Sequence, residues 1–300
     1  MLKVIVIVGP TAVGKTSLSV KLAKRFNGEI INGDSIQVYK GLNIGSAKVT
    51  EDEKQGVIHH LIDYKQLTDR YDVATFQKDA REKIKEISEK GKTAIVVGGT
   101  GLYIKALLYD YEFVGNPINI DENKYNEFTN EQLHQKLKEL DKQSAKAIHP
   151  NNRKRIIRAL VMAESGIKKS EQEARQSGTM IYRAKIIGLT MDRARLKERI
   201  NQRVDKMIEE GLVEETNQLF SNYSLKSQGF TGIGYKELIP YYLKQKDLES
   251  CVENIKTHTR QFAKRQYTWF NNQMPVRWYD IEDKDFLDRI YSDVEEFLNG

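Results

Sequence analysis

Apolar residues in the first third of the chain fall in short continuous runs, and the segments between these runs carry apolar residues at helical spacing. The runs Val4–Val8, Gly28–Asn32 and Thr93–Val97 predict strands. Ser17–Arg25 and Phe76–Lys90 predict the helices between them. This alternation predicts an α/β fold in which helices flank a parallel sheet, with a ligand site at the carboxyl ends of the strands.

The pattern changes near Glu112, where a helical block interrupts the sheet. Gly115–Ile120 is polar and contains a proline, which predicts a linker, and the pattern is helical from Asn130 to about Gln176. Val57–Tyr64 and Arg183–Thr190 predict two more strands. We therefore predict an α/β core with an inserted helical domain. The core covers residues 1–111 and 188–300, and the insertion covers residues 112–187.

The composition narrows the class of protein. The single cysteine, Cys251, excludes an internal disulfide framework and a cysteine-rich zinc site. No apolar stretch approaches the roughly 20 residues that a membrane span needs. No signal peptide is visible, so we expect a cytoplasmic protein with no membrane partner. The formal net charge of +6 favours a polyanionic partner.

The segment Gly9–Thr16 (GPTAVGKT) directly follows the first predicted strand and fits the phosphate-loop (P-loop) pattern. Its glycines let the backbone turn so that successive N–H groups point at an anion, and the start of the next helix adds positive potential. Lys15 supplies an ammonium group for phosphate oxygens, and the Thr16 hydroxyl is placed to ligate Mg²⁺. The segment predicts a site for a diphosphate or a triphosphate, and the motif alone does not separate the two.

Two other strand ends are expected to meet this loop. Asp34 follows the second strand, where a carboxylate can hold Mg²⁺, accept a proton or cap a turn, and its position leaves these roles open. The strand Ala94–Val97 ends in Gly-Gly-Thr, whereas a typical nucleotide hydrolase has an Asp there. The sequence therefore argues against nucleotide hydrolysis and leaves Thr100 as a hydroxyl donor facing the same pocket.

Basic residues cluster on two predicted helices of the second half. Arg195, Arg199 and Arg203 recur at a spacing of four, which favours anion binding over a solvated face paired with acidic neighbours. Thr259–Phe270 interleaves basic, amide and aromatic residues, which suits RNA contact and equally suits an amphipathic helix with a solvated side. The glycine-spaced loop Phe230–Tyr235 fits either a close approach to another backbone or a simple turn.

Seven motifs in order make the chain resemble the bacterial tRNA dimethylallyltransferases, the tRNA isopentenyltransferase family, over nearly its whole length. Ser46 stands where that family's IGTAK run has Thr, a change that keeps the hydroxyl. Asn152 and Val161 replace acidic residues common in the family. The motifs are GPTAVGKT (9–16), DSIQVYKGLNIGSAK (34–48), HHLID (59–63), VVGGTGLYIKALL (96–108), HPNNRKRIIRAL (149–160), GIGYKE (232–237) and TRQFAKRQYTWF (259–270).

The resemblance implies transfer of a dimethylallyl group from dimethylallyl diphosphate to the N6 amine of adenosine 37 in tRNA, by a monomer that uses Mg²⁺. Asp34 would be the general base, Thr100 would assist it, and Thr16 would ligate the metal. The diphosphate would be bound by Gly9, Thr11, Ala12, Gly14, Lys15, Thr16, Arg199 and Arg203. The anticodon stem-loop would be contacted by Ser35, Ile36, Gln37, Arg153, Arg155, Arg158, Gly232, Gly234, Tyr235, Arg260, Lys264, Arg265 and Gln266.

Three alternatives compete with this hypothesis. A small-molecule kinase would use the P-loop for ATP but would leave the basic segments of the second half without a role. An enzyme that prenylates free adenine nucleotides would not need the helical insertion. A non-catalytic RNA-binding protein would not explain why Asp34, Thr100 and the arginine row are expected at one site.

Overall fold

Parallel pairing of the apolar strands organises the larger part of the protein. The computed structural model describes residues 1–113, 122–174 and 178–300. In these residues six strands form one parallel sheet in the order β3-β2-β4-β1-β5-β6. The strands are β1 (Lys3–Val8), β2 (Gly28–Asn32), β3 (His59–His60), β4 (Thr93–Val97), β5 (Arg183–Thr190) and β6 (Arg277–Asp280).

Helices connect these strands and also form the block between β4 and β5. Short 3₁₀ turns at Glu122–Tyr125 and Gln228–Thr231 complete the regular structure of the described residues. The helices are α1 (Lys15–Arg25), α2 (Glu51–Lys54), α3 (Val73–Glu89), α4 (Gly101–Leu108), α5 (Asn130–Leu140), α6 (Lys142–Ala147), α7 (Arg153–Glu164), α8 (Lys169–Ala174), α9 (Arg193–Glu209), α10 (Leu212–Asn222), α11 (Ile239–Tyr242), α12 (Leu248–Gln273) and α13 (Phe286–Asn299).

The strand β1 is the point at which the order of the sheet reverses. Val4 pairs with Ala94 of β4 on one side and with Ala184 of β5 on the other. Val4–Val8 is fully buried, because the strand is covered by neighbours at both edges and by packing on both faces. A reversal of this kind is where open parallel sheets bind ligands, so the topology places the loop after β1 at the favoured position.

One face of the sheet is covered by the first and last helices of the chain. Residues of α1 and α13 share a single apolar cluster with β1, so the two ends of the sequence stabilise the same layer. The cluster includes Ile5, Ile7, Leu18, Leu22, Ile290 and Val294.

The described chain divides into two compact units. One comprises Met1–Leu108 and Ile181–Gly300 and contains the sheet, whereas the other comprises Tyr109–Met180 and contains α5–α8. The predicted insertion, 112–187, extends too far at its second end, because residues 183–187 pair with β1 and belong to the sheet. The predicted linker, Gly115–Ile120, lies outside the described residues.

The smaller unit has an apolar core of its own. Leu133 and Leu137 of α5 are fully buried in one cluster with Ile156 and Leu160 of α7. The spacing of these residues matches one face of each helix, so the two helices bury their apolar stripes against each other.

Arg153, the first residue of α7, ties this helix to the segment that precedes α5. Its guanidinium group donates hydrogen bonds to the carbonyl oxygens of Tyr125 at 2.6 Å and Phe128 at 2.7 Å. It also donates to Oδ1 of Asn130 at 3.3 Å. The planar fork of Arg153 therefore has a structural role inside the unit, and the predicted RNA contact of this half-buried residue stays a prediction.

We expect Arg153→Lys to lower the free energy of unfolding by about 2 kcal/mol, because a single ammonium group cannot serve three acceptors held apart in this way. Denaturant unfolding followed by circular dichroism measures the change. Arg155→Lys is the matched control, since Arg155 is exposed on the same helix. Equal stability of the two variants would contradict the assignment.

Candidate active site

A cavity of about 840 Å³ opens at the carboxyl ends of β1, β2 and β4, within the unit that contains the sheet. Its wall is formed by the P-loop, the loop that leads to α2, and side chains of α9 and α12. The predicted site residues in this wall are Thr11, Ala12, Gly14, Lys15, Thr16, Asp34, Gln37, Arg199, Arg203 and Gln266.

The backbone of the P-loop adopts the conformations that its glycines allow. Gly9 has a φ of 138°, and a Cβ atom there would lie 2.6 Å from the carbonyl oxygen of Leu189. Gly14 has a φ of 104°. Ala12 also lies in the left-handed region, with a φ of 65°, although it carries a side chain. The loop therefore makes a sharp, strained turn between β1 and α1, as anion-binding loops do.

The helix α1 begins without a side-chain cap. Its N-cap residue is Gly14, and no acidic residue lies in its first turn. By contrast, α3 and α9 are capped by the carboxylates of Asp72 and Asp192. The first N–H groups of α1 are consequently left for an external anion, which the positive end of the helix dipole also attracts.

Two cations at the P-loop have no anionic partner among the described residues. The Lys15 ammonium donates to the carbonyl oxygens of Gly9 at 3.0 Å and Pro10 at 2.7 Å. Arg203 of α9 places Nη1 3.5 Å from Oγ1 of Thr11. Burial, together with the charge of Arg203, lowers the pKa of Lys15 to about 7. Burial also lowers the pKa of Arg203. An anion bound here would relieve both effects.

Asp34 fills one of the roles that its position left open. Its Oδ1 accepts hydrogen bonds from the N–H groups of Ile36 at 2.8 Å and Gln37 at 3.3 Å, so it caps its own turn. Its side chain also lines the cavity, and its charge raises the pKa values of Lys15 and Arg203. The carboxylate therefore faces the two cations across the cavity.

Thr100 is half-buried at the start of α4, directly after two glycines of the cavity wall. The cavity wall includes Gly98 and Gly99, but Thr100, which the structure describes, is not part of it. The carbonyl oxygen of Thr100 accepts from the N–H groups of Tyr103 and Ile104, so the residue starts α4. The predicted catalytic assistance from Thr100 has no support in the geometry of the cavity.

The row of three arginines divides between the cavity and the surface. Arg199 and Arg203 line the cavity. Arg195 is exposed and forms an ion pair with Glu282. Of the three arginines that the helical spacing assigned to one face of α9, only the two nearer its middle reach the cavity.

The turn after Asp34 brings one of its three predicted RNA contacts into the cavity. Gln37 lines the wall, and its Nε2 donates to the carbonyl oxygens of Ser46 at 3.1 Å and Ala47 at 3.2 Å. Ser35 and Ile36 are half-buried beside it. The carboxamide of Gln37 is therefore held by the loop that forms one side of the cavity.

Glu215 of α10 holds this same loop. Its carboxylate accepts from the N–H groups of Asn43 at 3.1 Å, Ile44 at 2.9 Å and Gly45 at 3.2 Å. The hydroxyl of Tyr235 donates to it at 2.7 Å. Burial raises the pKa of Tyr235 above its usual range, and the carboxylate raises it further. Glu215 and Tyr235 together hold the loop 43–48 through the N–H groups of its first three residues.

The glycine-spaced loop Phe230–Tyr235 is therefore structural where RNA contact was predicted. Tyr235 is 0% exposed, so RNA cannot reach its side chain. Gly234 has a φ of 102° and lies against the backbone of Gly45, and Gly232 lies against Ile36. The prediction is wrong for Tyr235, because a buried aromatic ring with a hydrogen-bonding hydroxyl looks the same in sequence as an exposed one.

Of the predicted RNA contacts on α12, some are exposed and others serve the interior of the protein. Lys264 and Arg265 are exposed, whereas Gln266 is 5% exposed. Arg260 donates to Oδ1 of Asn201 at 2.6 Å and to Oγ1 of Thr257 at 2.8 Å, so it links α12 to α9. In the smaller unit, Arg155 and Arg158 are exposed on α7.

Comparison with known proteins assigns the family. The family model for IPP transferases matches residues 37–273. The chain belongs to the IPP transferase family. It is 46% identical, over 99% of its length and 96% of the relative's, to a tRNA dimethylallyltransferase of Anoxybacillus flavithermus. It is 48% identical to one of Enterococcus faecalis, with 99% and 98% of the two chains covered.

Solved structures of the IPP transferase family share this fold. A tRNA delta(2)-isopentenylpyrophosphate transferase of Staphylococcus epidermidis is 43% identical, with a TM-score of 0.75 and 99% of both chains covered. A eukaryotic dimethylallyltransferase acting on tRNA is 31% identical, with a TM-score of 0.86, and the match covers 100% of this chain and 80% of that one. The predicted α/β P-loop fold and the family resemblance are confirmed.

Several residues of this IPP transferase site escaped the sequence analysis. Glu215 is the clearest, because nothing in its local sequence distinguishes it from the neighbouring exposed Glu214. Its role follows only from its contacts with Asn43–Gly45, which lie far away in the chain. The cavity wall also includes Glu53, His59, Gln202, Lys206 and Phe262.

Binding of inorganic diphosphate near pH 8 should take up about one proton, because a Lys15 pKa of about 7 leaves its amine mostly neutral until the anion binds. Affinity should rise as the pH falls from about 9 to about 7. Titration calorimetry in buffers of different ionisation enthalpy measures the uptake. Lys15→Met is the control, because any proton uptake that remains in this variant comes from diphosphate itself and not from the lysine. Equal proton uptake by both proteins would rule out this role for Lys15.

Proposed function

We propose that this protein transfers a dimethylallyl group from dimethylallyl diphosphate to the N6 amine of adenosine 37 in tRNA and releases diphosphate. The observation that carries the proposal is one cavity whose wall holds a P-loop, a carboxylate and two cations that have no ion-pair partner among the described residues. The relatives that it matches over nearly their full length are named as tRNA dimethylallyltransferases.

The P-loop side of the cavity suits a leaving diphosphate. Lys15, Arg203 and the uncapped start of α1 present positive charge, and Arg199 lies in the same wall. As the bond between the allylic carbon and oxygen breaks, the diphosphate keeps the electron pair and gains negative charge. Donors already in place at that position stabilise the transition state more than the ground state.

The opposite side suits removal of a proton from the attacking amine. The N6 nitrogen forms a bond to the allylic carbon and must lose one proton. Among the described residues, both hydrogen bonds to the Asp34 carboxylate go to Oδ1, so Oδ2 is the oxygen left to accept this proton. Gln37, three residues after Asp34, lines the same cavity and would contact the base.

Magnesium fits the site as a partner of the substrate. Among the described residues, no cluster of three or more His, Cys, Asp or Glu side chains is arranged to hold a metal ion. Mg²⁺ usually keeps several waters and binds substrate phosphates with only one or two protein oxygens. Thr16 lines the cavity beside Lys15 and would hold the ion through its hydroxyl, and the ion would neutralise charge on the diphosphate.

The proposed tRNA contacts are the exposed basic residues. Arg155 and Arg158 on α7 and Lys264 and Arg265 on α12 are free to approach the phosphates of an anticodon stem-loop. The adenine must leave the base stack to enter a cavity, because stacking hides its amine from a buried electrophile. We expect the protein to act as a cytoplasmic monomer. None of the described helices is long and apolar enough to cross a bilayer.

Asp34→Asn should lower kcat at least about 100-fold, because the amide keeps the turn cap but cannot take the proton. Affinity for inorganic diphosphate should remain. The assay uses labelled dimethylallyl diphosphate, Mg²⁺ and unmodified tRNA, with Asp52→Asn as a control at an exposed carboxylate. No label should be transferred to tRNA that has guanosine at position 37. In a separate reaction with labelled ATP, no label should be transferred either. Full activity of Asp34→Asn would exclude it as the base, and phosphate transfer from ATP without prenylation would favour the kinase.

Replacing Arg155 and Arg158 together by Gln should raise KM for tRNA and lower the slope of log K against log salt by about one per lost phosphate contact. Affinity for inorganic diphosphate should not change. Lys21→Gln with Lys284→Gln removes the same charge from exposed positions elsewhere and should leave the slope unaltered. Identical slopes for the two double variants would show that α7 makes no phosphate contact.

A further inference from the structure

Gln266 uses both ends of its carboxamide inside the protein. It lies on α12 and is 5% exposed. Its Oε1 accepts from the N–H group of Thr11 at 2.9 Å, and its Nε2 donates to the carbonyl oxygen of Gly99 at 3.0 Å. The orientation of the amide is unambiguous, because a backbone N–H group only donates and a carbonyl oxygen only accepts.

Gly99 makes room for this bridge. A Cβ atom at residue 99 would lie 2.0 Å from Nε2 of Gln266, which is well inside contact distance. Gly99 is not one of the glycines with a positive φ. The close approach of the Gln266 side chain is therefore the reason for a glycine at this position. The loop after β4 and the helix α12 therefore pack closely at Gly99, with no room for a side chain there.

Thr11 is held from two directions. Gln266 of α12 binds its backbone N–H group, and Arg203 of α9 approaches its hydroxyl at 3.5 Å. The next residue, Ala12, has a φ of 65°, so the chain reverses its direction directly after the anchored position. The strained turn of the P-loop thus begins from a residue that two helices fix.

We propose that Gln266 is a positioning residue that locks the P-loop against the loop after β4 and so presets the diphosphate cradle. This inference rests on the proposed diphosphate site. It assigns to Gln266 a role in place of the RNA contact that the sequence suggested. A cradle whose donors are fixed before the ligand arrives binds diphosphate without further ordering, so loss of the bridge should weaken diphosphate binding.

The test measures the Kd of inorganic diphosphate with Mg²⁺ in the absence of tRNA. Gln266→Met, which keeps the length of the side chain but makes neither hydrogen bond, should weaken binding about tenfold, equivalent to about 1.4 kcal/mol. Gly99→Ala should act similarly, because its methyl group displaces the carboxamide. Gln261→Met is the matched control on the same helix, since Gln261 is exposed, and it should bind as the wild type does.

The double variant separates a shared bridge from general destabilisation. If both residues act through one contact, Gln266→Met with Gly99→Ala should bind no more weakly than the weaker single variant. In turnover, KM for dimethylallyl diphosphate should rise while KM for tRNA stays constant. Additive losses, or wild-type affinity in a folded Gln266→Met protein, would overturn the proposal.

A second variant and an assay of the wild-type protein separate failure to fold, failure of the proposed function and failure of the role of Gln266. If Gln266→Met does not fold, Gln266→Glu is measured in the same way, because the carboxylate keeps an acceptor for Thr11 and loses the donor to Gly99. If the wild-type protein binds diphosphate but transfers no prenyl group to tRNA, this result would contradict the proposed function without contradicting the role of Gln266. The binding comparison between the variants would still decide the role of Gln266.

Discussion

The buried ammonium group of Lys15 is the constraint on which the site depends. Lys15 is the first residue of α1, directly after the P-loop turn. Among the described residues its ammonium group donates to the carbonyl oxygens of Gly9 and Pro10, and the positive Arg203 lies nearby. Bringing two cations together in a partly buried place costs free energy unless an anion joins them. The protein maintains this arrangement because the surrounding elements hold the P-loop rigidly: Leu189 of β5 packs against Gly9, and α9 and α12 both reach Thr11.

The other side of the cavity is held on a similar principle. Glu215 gathers three consecutive N–H groups of the loop 43–45, and Tyr235 donates to the same carboxylate. That loop supplies the two carbonyl oxygens that hold Gln37. The P-loop and the loop 43–48, which form two sides of the cavity, therefore belong to the first third of the chain, and both are held by side chains of the last third. A site assembled in this way forms only when the whole larger unit has folded.

The sequence analysis succeeded where burial is continuous and failed where partners are distant. The bounds of β2, β4 and β5 were predicted correctly, because strands inside a parallel sheet are apolar throughout. The edge strand β3 is only two residues long within the predicted Val57–Tyr64. The edge strand β6 (Arg277–Asp280) was missed, because it has only four residues (RWYD) and buries only Tyr279, so it carries no apolar run and no alternation. The P-loop, Asp34 and the arginine row were found from position, since strand ends and helical spacing are local properties.

The RNA contacts show the limit of that reasoning. Arg153 and Arg260 carry the same donors as the exposed Arg155 and Arg265, but serve acceptors inside the protein. A guanidinium group that satisfies buried carbonyl oxygens and one that awaits a phosphate are chemically identical, so only the fold separates them.

The placement of Asp34 links the two halves of the proposed reaction. Its negative charge raises the pKa of Lys15 and of Arg203, so it partly offsets their positive field while the substrate is bound. If Asp34 accepts the proton of the amine, as we propose, that offset disappears. The net positive potential at the P-loop then increases as the diphosphate acquires the electron pair of the breaking bond. Proton transfer on one side of the cavity therefore strengthens stabilisation of the leaving group on the other, with no movement of the protein required.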